Sequence, residues 1–347
     1  MTDGKSANRQ LTGGQETRQA STGTVGLGVI GCASIAWRRT LPAAVADPLT
    51  RVVAVAGRDP EKTDRFARQF DCQAVYDYQQ LLQCEDIDAV YVPLPAALHA
   101  RWIEAALHAG KHVLAEKPLA TDADTAARLV SLARAKGLLL IENYMFTHHA
   151  QHRAVRQLVA DGTIGELRAF SAAFTIPQLP PDDIRHQRGL GGGALLDVAG
   201  YPIRAAELFL GDGLEVVGAV LRHHPLWEVD TGGAALLRTA SGVTAHITFG
   251  IENAYHSSYE LWGSVGRITV DRAFTPPADH APVVRVERQD GVREHLLPCD
   301  DQFARVIRAF SRAVLDGAYD LPAGGGHRMV EIVPHARLVD AVRALSS

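Results

Sequence analysis

The chain of 347 residues is too long for one domain and too short for four, so two domains are expected. Its 35 basic and 39 acidic residues give a net charge of -4 and are interspersed along the chain, which argues against nucleic acid as a partner. The composition is 47% hydrophobic, yet no apolar run approaches the roughly 20 residues of a membrane-spanning helix, since Leu138–Ile141 is ended at once by Glu142.

Residues 1–23 are rich in Gly, Thr, Gln and Ser and are expected to form a disordered tail, because they carry too little apolar surface to offset chain entropy. From 24 to 143 short apolar runs alternate with helical patterns, the signature of parallel strands joined by crossover helices. The strands are expected from Val25, Arg51, Gln73, Asp88, His112 and Leu138. Asp59 followed by Pro60 marks one helix start and Thr121 another, while Gly110 and Gly137 close two helices. From 144 to 347 the texture changes. A helix near residues 151–160 and a strand near Phe170 precede a Pro/Gly-rich loop from Pro177 to Gly193. A helix over 195–210 then leads into alternating strands near Val216, Ala235, Ala245, Glu260, Ile268, Val284 and His295, and helices near Phe303 and Val330 finish the chain. The fold class read from this is α/β: an N-terminal Rossmann domain with a doubly wound parallel sheet, then a C-terminal α+β domain with an open, largely antiparallel sheet. The four cysteines, Cys32, Cys72, Cys84 and Cys299, lack the paired spacing of a zinc site, and with no secretory leader the expectation is reduced thiols in a cytoplasm.

The first strand runs into Gly31, Cys32, Ala33, Ser34, Ile35 and Ala36, a variant dinucleotide fingerprint feeding a helix whose first amides can hold a pyrophosphate. Gly31 supplies the tight turn and Ala36 allows close helix packing, whereas Ala33 replaces the glycine that usually lets the cofactor approach the backbone. At the end of the second strand, Gly57 and Arg58 stand where an acidic residue would select a free ribose hydroxyl. A guanidinium there pairs with a 2'-phosphate and favours NADP(H). Lys117, just past the fifth strand, faces the ligand crevice of such folds. His148, His149 and His152 cluster without a carboxylate at ligand spacing, as do His223 and His224, so they are read as solvated and no metal is expected.

These pieces fall in a recognisable order: Gly-Val-Ile-Gly-Cys-Ala from Gly28, Val92 to His99, Ala-Glu-Lys-Pro from Ala115, the turn from Gly162, and Gly191 to Pro202. In that order the chain resembles the glucose-fructose oxidoreductase, inositol dehydrogenase and rhizopine-catabolism (Gfo/Idh/MocA) family. The resemblance implies that Lys117 binds the reacting oxygen, that Asp197 orients substrate, and that Tyr201 carries the catalytic proton. Most members are expected to have histidine at the Tyr201 position. A phenol is protonated at neutral pH and so favours reduction, and Lys117 is expected to lower its pKa.

Longer matches, from Cys32, Asp183 and Ala273, resemble sugar-nucleotide 3-ketoreductases of antibiotic deoxysugar pathways, of the kijanose type. That resemblance implies NADPH-dependent reduction of the C3 ketone of a dTDP-3,4-didehydro-2,6-dideoxy-glucose-type sugar nucleotide. Candidate substrate residues are Arg38, Arg39, Arg185, Tyr255 and Thr275, with Leu94 and His99 beside the nicotinamide ribose. Two alternatives stand beside this reading: an NADP-dependent dehydrogenase of a free sugar, inositol or dihydrodiol, and a non-catalytic NADP-binding regulator. The open sheet leads to the expectation of a homodimer or homotetramer joined through the C-terminal sheets.

Overall fold

The protein is described by a computed structural model covering residues 23–322, 326 and 328–346. The expected tail, apart from Gly23, lies outside the described residues.

The early apolar runs form six strands, β1 (Val25–Ile30), β2 (Thr50–Ala56), β3 (Gln73–Val75), β4 (Ala89–Val92), β5 (His112–Ala115) and β6 (Leu140–Glu142). They make one parallel sheet in the order β3-β2-β1-β4-β5-β6, the doubly wound arrangement. Every residue of β1 and β4 is buried, which is why these strands read as unbroken apolar runs instead of alternating ones. The helices between them are α1 (Leu41–Ala46), α2 (Pro60–Phe70), α3 (Tyr78–Leu82), α4 (Ala96–His108) and α5 (Ala123–Lys136).

Asp59 caps α2 as expected, its side chain accepting from the Lys62 amide at 3.1 Å with Pro60 in the first turn. For α5 the cap is Asp122, not Thr121: the Asp122 carboxylate accepts from the Thr125 amide at 2.8 Å. A carboxylate is a stronger acceptor than a hydroxyl and complements the helix dipole, so the start moves one residue along.

The second half opens with α6 (Ala150–Ala160) and β7 (Leu167–Thr175). The Pro/Gly-rich loop after β7 contains two short 3₁₀ turns, Ile184–His186 and Arg188–Leu190. The expected helix over 195–210 begins as a wide π turn, Leu195–Ala199, and continues as α7 (Gly200–Leu210). There follow β8 (Glu215–His223), β9 (Asp230–Arg238), β10 (Thr244–Gly250), β11 (His256–Gly263), β12 (Gly266–Asp271), β13 (Val283–Arg288), β14 (Gly291–Leu296), α8 (Gln302–Leu315) and α9 (Met329–Leu345). The eight strands β7–β14 form a second sheet in the order β14-β13-β12-β11-β7-β10-β9-β8. It is antiparallel except at its centre, where β7 and β10 run parallel from Ala169 opposite Thr244 to Thr175 opposite Gly250.

Two returning helices join the halves. Helix α9 packs on α5 of the first half and on α7 and β8 of the second, while α8 packs on α1. The α8 contact includes an ion pair from Arg308 to the buried Asp47, and a hydroxyl pair between Thr50 and Ser311 at 2.7 Å. Among the described residues no helix is long and apolar enough to cross a membrane.

Candidate active site

A cleft of about 780 Å³ runs along the carboxyl edge of the first sheet and faces the second half of the chain. Its first-half wall comes from the loops after β1, β2, β4 and β5, where open α/β sheets bind ligands. Of the residues expected at the cofactor, Gly31, Cys32, Ala33, Ser34, Ile35, Gly57, Arg58, Leu94 and Lys117 line it. Gly31 has φ +113°, a conformation that strains any residue with a Cβ, and a Cβ there would also lie 2.7 Å from a methyl of the Leu94 side chain, so the turn favours glycine. Such a bare turn at the mouth of a helix is the cradle a dinucleotide pyrophosphate needs, and the residues present fit that group. Lys62, four residues after Arg58, also lines the cleft. Sequence reasoning passed over it, although its place in the first turn of α2, just past Arg58 and the Asp59 cap, was visible.

Two expected cofactor residues do not line the cleft. Ala36 is buried and does the packing assigned to it. His99 is buried behind the loops. Its ring nitrogens lie 2.7 Å from the carbonyl oxygens of Leu94 and Pro118, so it ties the β4 and β5 loops together instead of reaching the ribose side.

The opposite wall carries Met145, Phe174, Ile176, Asp183, Arg185, Asp197, Tyr201 and Thr275. Lys117, at the cis peptide bond preceding Pro118, crosses from the β5 loop to this wall. Its ammonium donates to the Asp197 carboxylate at 2.9 Å and also to the Asp197 backbone carbonyl. The other Asp197 oxygen accepts from Arg185 at 2.5 Å, and Arg185 in turn pairs with Asp183 at 3.2 Å. Burial alone would raise the Asp197 carboxyl, but Lys117 and Arg185 outweigh it and hold the group at about 2. Arg185, expected at the diphosphate, lines the cleft and is engaged with two carboxylates, Asp197 and Asp183.

Tyr201 is placed by α7, one turn after Asp197, and both side chains reach the same cleft. Its ring is boxed by Tyr144, Phe146, Phe174 and Phe274, and its hydroxyl lies 3.8 Å from the Met145 sulfur. The Lys117 ammonium stands over the ring, 5.1 Å from its centroid. The expectation that Lys117 lowers the phenol pKa is corrected: burial, then the carboxylates of Glu116 and Asp197, push it well above the ordinary phenol range. Glu116, to which sequence reasoning gave no role, lines the cleft and accepts from Tyr91 at 2.7 Å and Asn143 at 2.8 Å.

Of the remaining substrate candidates, Arg38 and Thr275 line the cleft, whereas Arg39 and Tyr255 do not. Tyr255 is joined to Thr275 by a 3.0 Å hydroxyl contact. His149 and His152, expected to be solvated, are buried, and His152 meets the Tyr259 hydroxyl at 3.0 Å. Among the described residues no group of three or more His, Cys, Asp or Glu is arranged to hold a metal, and the four thiols are unbridged.

A doubly wound sheet with a dinucleotide turn, facing a second sheet across a cleft that holds Lys117, Asp197 and Tyr201, defines a two-domain NAD(P)-dependent oxidoreductase. The chain belongs to the Gfo/Idh/MocA family. Residues 23–144 match the profile described as an oxidoreductase family with an NAD-binding Rossmann fold, and residues 152–269 match the GFO/IDH/MocA C-terminal domain. It is 55% identical to a dTDP-3,4-didehydro-2,6-dideoxy-alpha-D-glucose 3-reductase of Actinomadura kijaniata, over 93% of this chain and 96% of that protein. Against a D-xylose 1-dehydrogenase (NADP(+)) of Haloferax volcanii the identity is 30%, over 91% of this chain and 95% of the other. The crystal structure of a 3-ketoreductase from Actinomadura kijaniata with NADP and TDP-benzene superposes with a TM-score of 0.89 at 55% identity, covering 93% of this chain and 98% of that one.

Proposed function

We propose that this protein uses NADPH to reduce the C3 ketone of a dTDP-3,4-didehydro-2,6-dideoxy-glucose-type sugar nucleotide, a step of deoxysugar biosynthesis. The observation that carries the reading is the meeting of Lys117, from the first half, with Asp197 and Tyr201, from the second, in the cleft at the carboxyl edge of the cofactor sheet. Such a group is what a carbonyl reduction requires: a fixed cation for the oxygen and a proton source beside it.

The Gly31 turn and the helix after it hold the cofactor pyrophosphate, and Arg58, with Lys62 beside it, holds the 2'-phosphate. When bound, the reduced nicotinamide supplies a hydride. An ammonium has three N–H donors, of which Lys117 spends two on Asp197, leaving one for the ketone oxygen. Asp197, kept ionised by its two cations, fixes the direction of that donor. Tyr201, kept protonated by its buried setting, gives its proton to the same oxygen as negative charge develops there, which completes the new hydroxyl. Among the described residues its hydroxyl donates only to a thioether sulfur, a weak acceptor, so donating to a ketone oxygen sacrifices little.

The identity of 55% with the named reductase, against 30% with the xylose dehydrogenase, favours the sugar nucleotide over a free sugar. Loss of NADPH absorbance with the dTDP-diketo sugar, and none with xylose, an inositol or a dihydrodiol, is the expected result. Turnover only with the free substrates overturns it. The open face of the second sheet carries exposed Val217, Val220, Trp262 and Val283, which supports a homodimer or homotetramer formed through that sheet. A monomeric mass by light scattering at micromolar concentration would refute this.

A further inference from the structure

Arg185, which holds Asp197, sits on a loop whose backbone is tied back on itself, the Gly193 amide donating to the Arg185 carbonyl at 2.9 Å. The two 3₁₀ turns of this loop bury only one residue between them, His186. That imidazole is 5% exposed, and neither ring nitrogen finds a hydrogen-bond partner among the described residues. What it has is a stacking partner. The ring lies on Trp227 with centroids 3.6 Å apart and planes within 20°. The other face of Trp227 is covered by His224, 3.8 Å away at 15°, so the indole is the middle layer of three.

Trp227 and His224 belong to the turn joining β8 to β9, outside the cleft, and neither lines it. The same hairpin grips the chain on the other side of the loop. Asp230, the first residue of β9, accepts from the Leu195 amide at 2.5 Å, two residues before Asp197. Gly193, at φ +112°, comes so near that a Cβ would lie 2.4 Å from the Asp230 carboxylate. The stack on His186 and the grip on Leu195 therefore originate in one hairpin, whose turn does not line the cleft.

We propose that Trp227 is a positioning residue: by stacking on His186 it fixes the loop that carries Arg185, and through Arg185 it keeps Asp197 aimed so that Lys117 presents its remaining N–H to the substrate carbonyl. The inference rests on the reading of Lys117 as the partner of that carbonyl. A contact as short as that between Arg185 and Asp197 does not survive a shift of an ångström, and displacements of that size are known to matter for catalysis.

The test uses the full chain with Trp227→Ala, Trp227→Phe, Arg185→Ala and the double variant Trp227→Ala/Arg185→Ala. Trp227→Ala is expected to raise KM for the dTDP-diketo sugar about tenfold, with NADPH affinity unchanged within about twofold, and Trp227→Phe to recover most of the loss because a ring still stacks. In the Arg185→Ala background the Trp227 change is expected to have no further effect. A wild-type KM in Trp227→Ala, or the same tenfold loss with Arg185 already removed, overturns the proposal. Limited trypsin digestion reads the loop without any turnover: cleavage after Arg185 and Arg188 should be faster in Trp227→Ala than in the wild type and in Trp227→Phe. Equal rates overturn the positioning role, whereas a wild-type protein inert toward the diketo sugar overturns only the functional reading.

Discussion

Replacing Asp197 with Asn removes a charge that two cations share while keeping the shape of the protonated acid. An ordinary aspartate titrates at 3.8 and this one at about 2, with its side chain only 17% exposed, so ionisation in the folded state contributes about 2 kcal/mol of stability. The folded-state value lies below the unfolded one. The contribution is therefore complete above about pH 5 and drains away as the pH falls through 3.8 toward 2. Because Asn imitates the protonated form, Asp197→Asn should be less stable than wild type by about 2 kcal/mol at pH 7, with roughly half of that difference gone by pH 3. Urea unfolding followed by tryptophan fluorescence at pH 7, 5 and 3 measures it, wild type and variant being compared at each pH. A difference that stays the same from pH 7 to pH 3, or is absent at pH 7, would refute the account of Asp197 as a carboxylate clamped between Lys117 and Arg185.

Lys117→Ala should lower kcat/KM for the diketo sugar by about 10²- to 10³-fold. Calorimetry should find NADPH binding little changed, and an activity loss explained entirely by weaker NADPH binding would contradict the assignment. Tyr201→Phe should reduce kcat by about 10²-fold in single-turnover NADPH oxidation, and undiminished turnover would remove the phenol as proton source. Since burial holds that phenol well above its ordinary range, wild-type kcat should show no loss from Tyr201 ionisation between pH 6 and 9; a fall with an apparent pKa below 9 that Tyr201→Phe abolishes would contradict this. Arg58→Ala should weaken NADPH binding about tenfold or more and leave NADH within about twofold, and an equal loss for both would place Arg58 away from the 2'-phosphate.

Much of the architecture was legible because it rests on local patterns. Buried parallel strands such as β1 and β4 show as continuous apolar runs, and the Asp59–Pro60 start of α2 has a chemistry that needs no distant partner. Some misreadings were local, such as the α5 cap at Asp122 instead of Thr121, but others arose because the deciding contact lies far along the chain. His152 looks like a surface histidine until Tyr259, 107 residues away, meets it in the interior. Asp197 and Tyr201 could be assigned to one helical face from their spacing, but no spacing reveals that Lys117, 80 residues before Asp197, stands over a ring instead of beside its hydroxyl. Arg185 was legible as a cation near the site, yet its partner is a carboxylate of the site itself.

The parallel pairing of β7 with β10 sets how the substrate side of the cleft can be altered. Strands laid in one direction deliver their ends to the same edge: the Ile176 amide donates to the Gly250 carbonyl at 2.9 Å, and the Thr175 hydroxyl to that of Ala254 at 2.6 Å. Such a junction cannot be closed by a hairpin, and its two strands are separated by the π turn, α7, β8 and β9, so it forms only once that whole stretch is in place. A change of substrate preference by exchange with a relative is accordingly expected to require transfer of the entire stretch as a unit, because a grafted loop would arrive without the strand that anchors it.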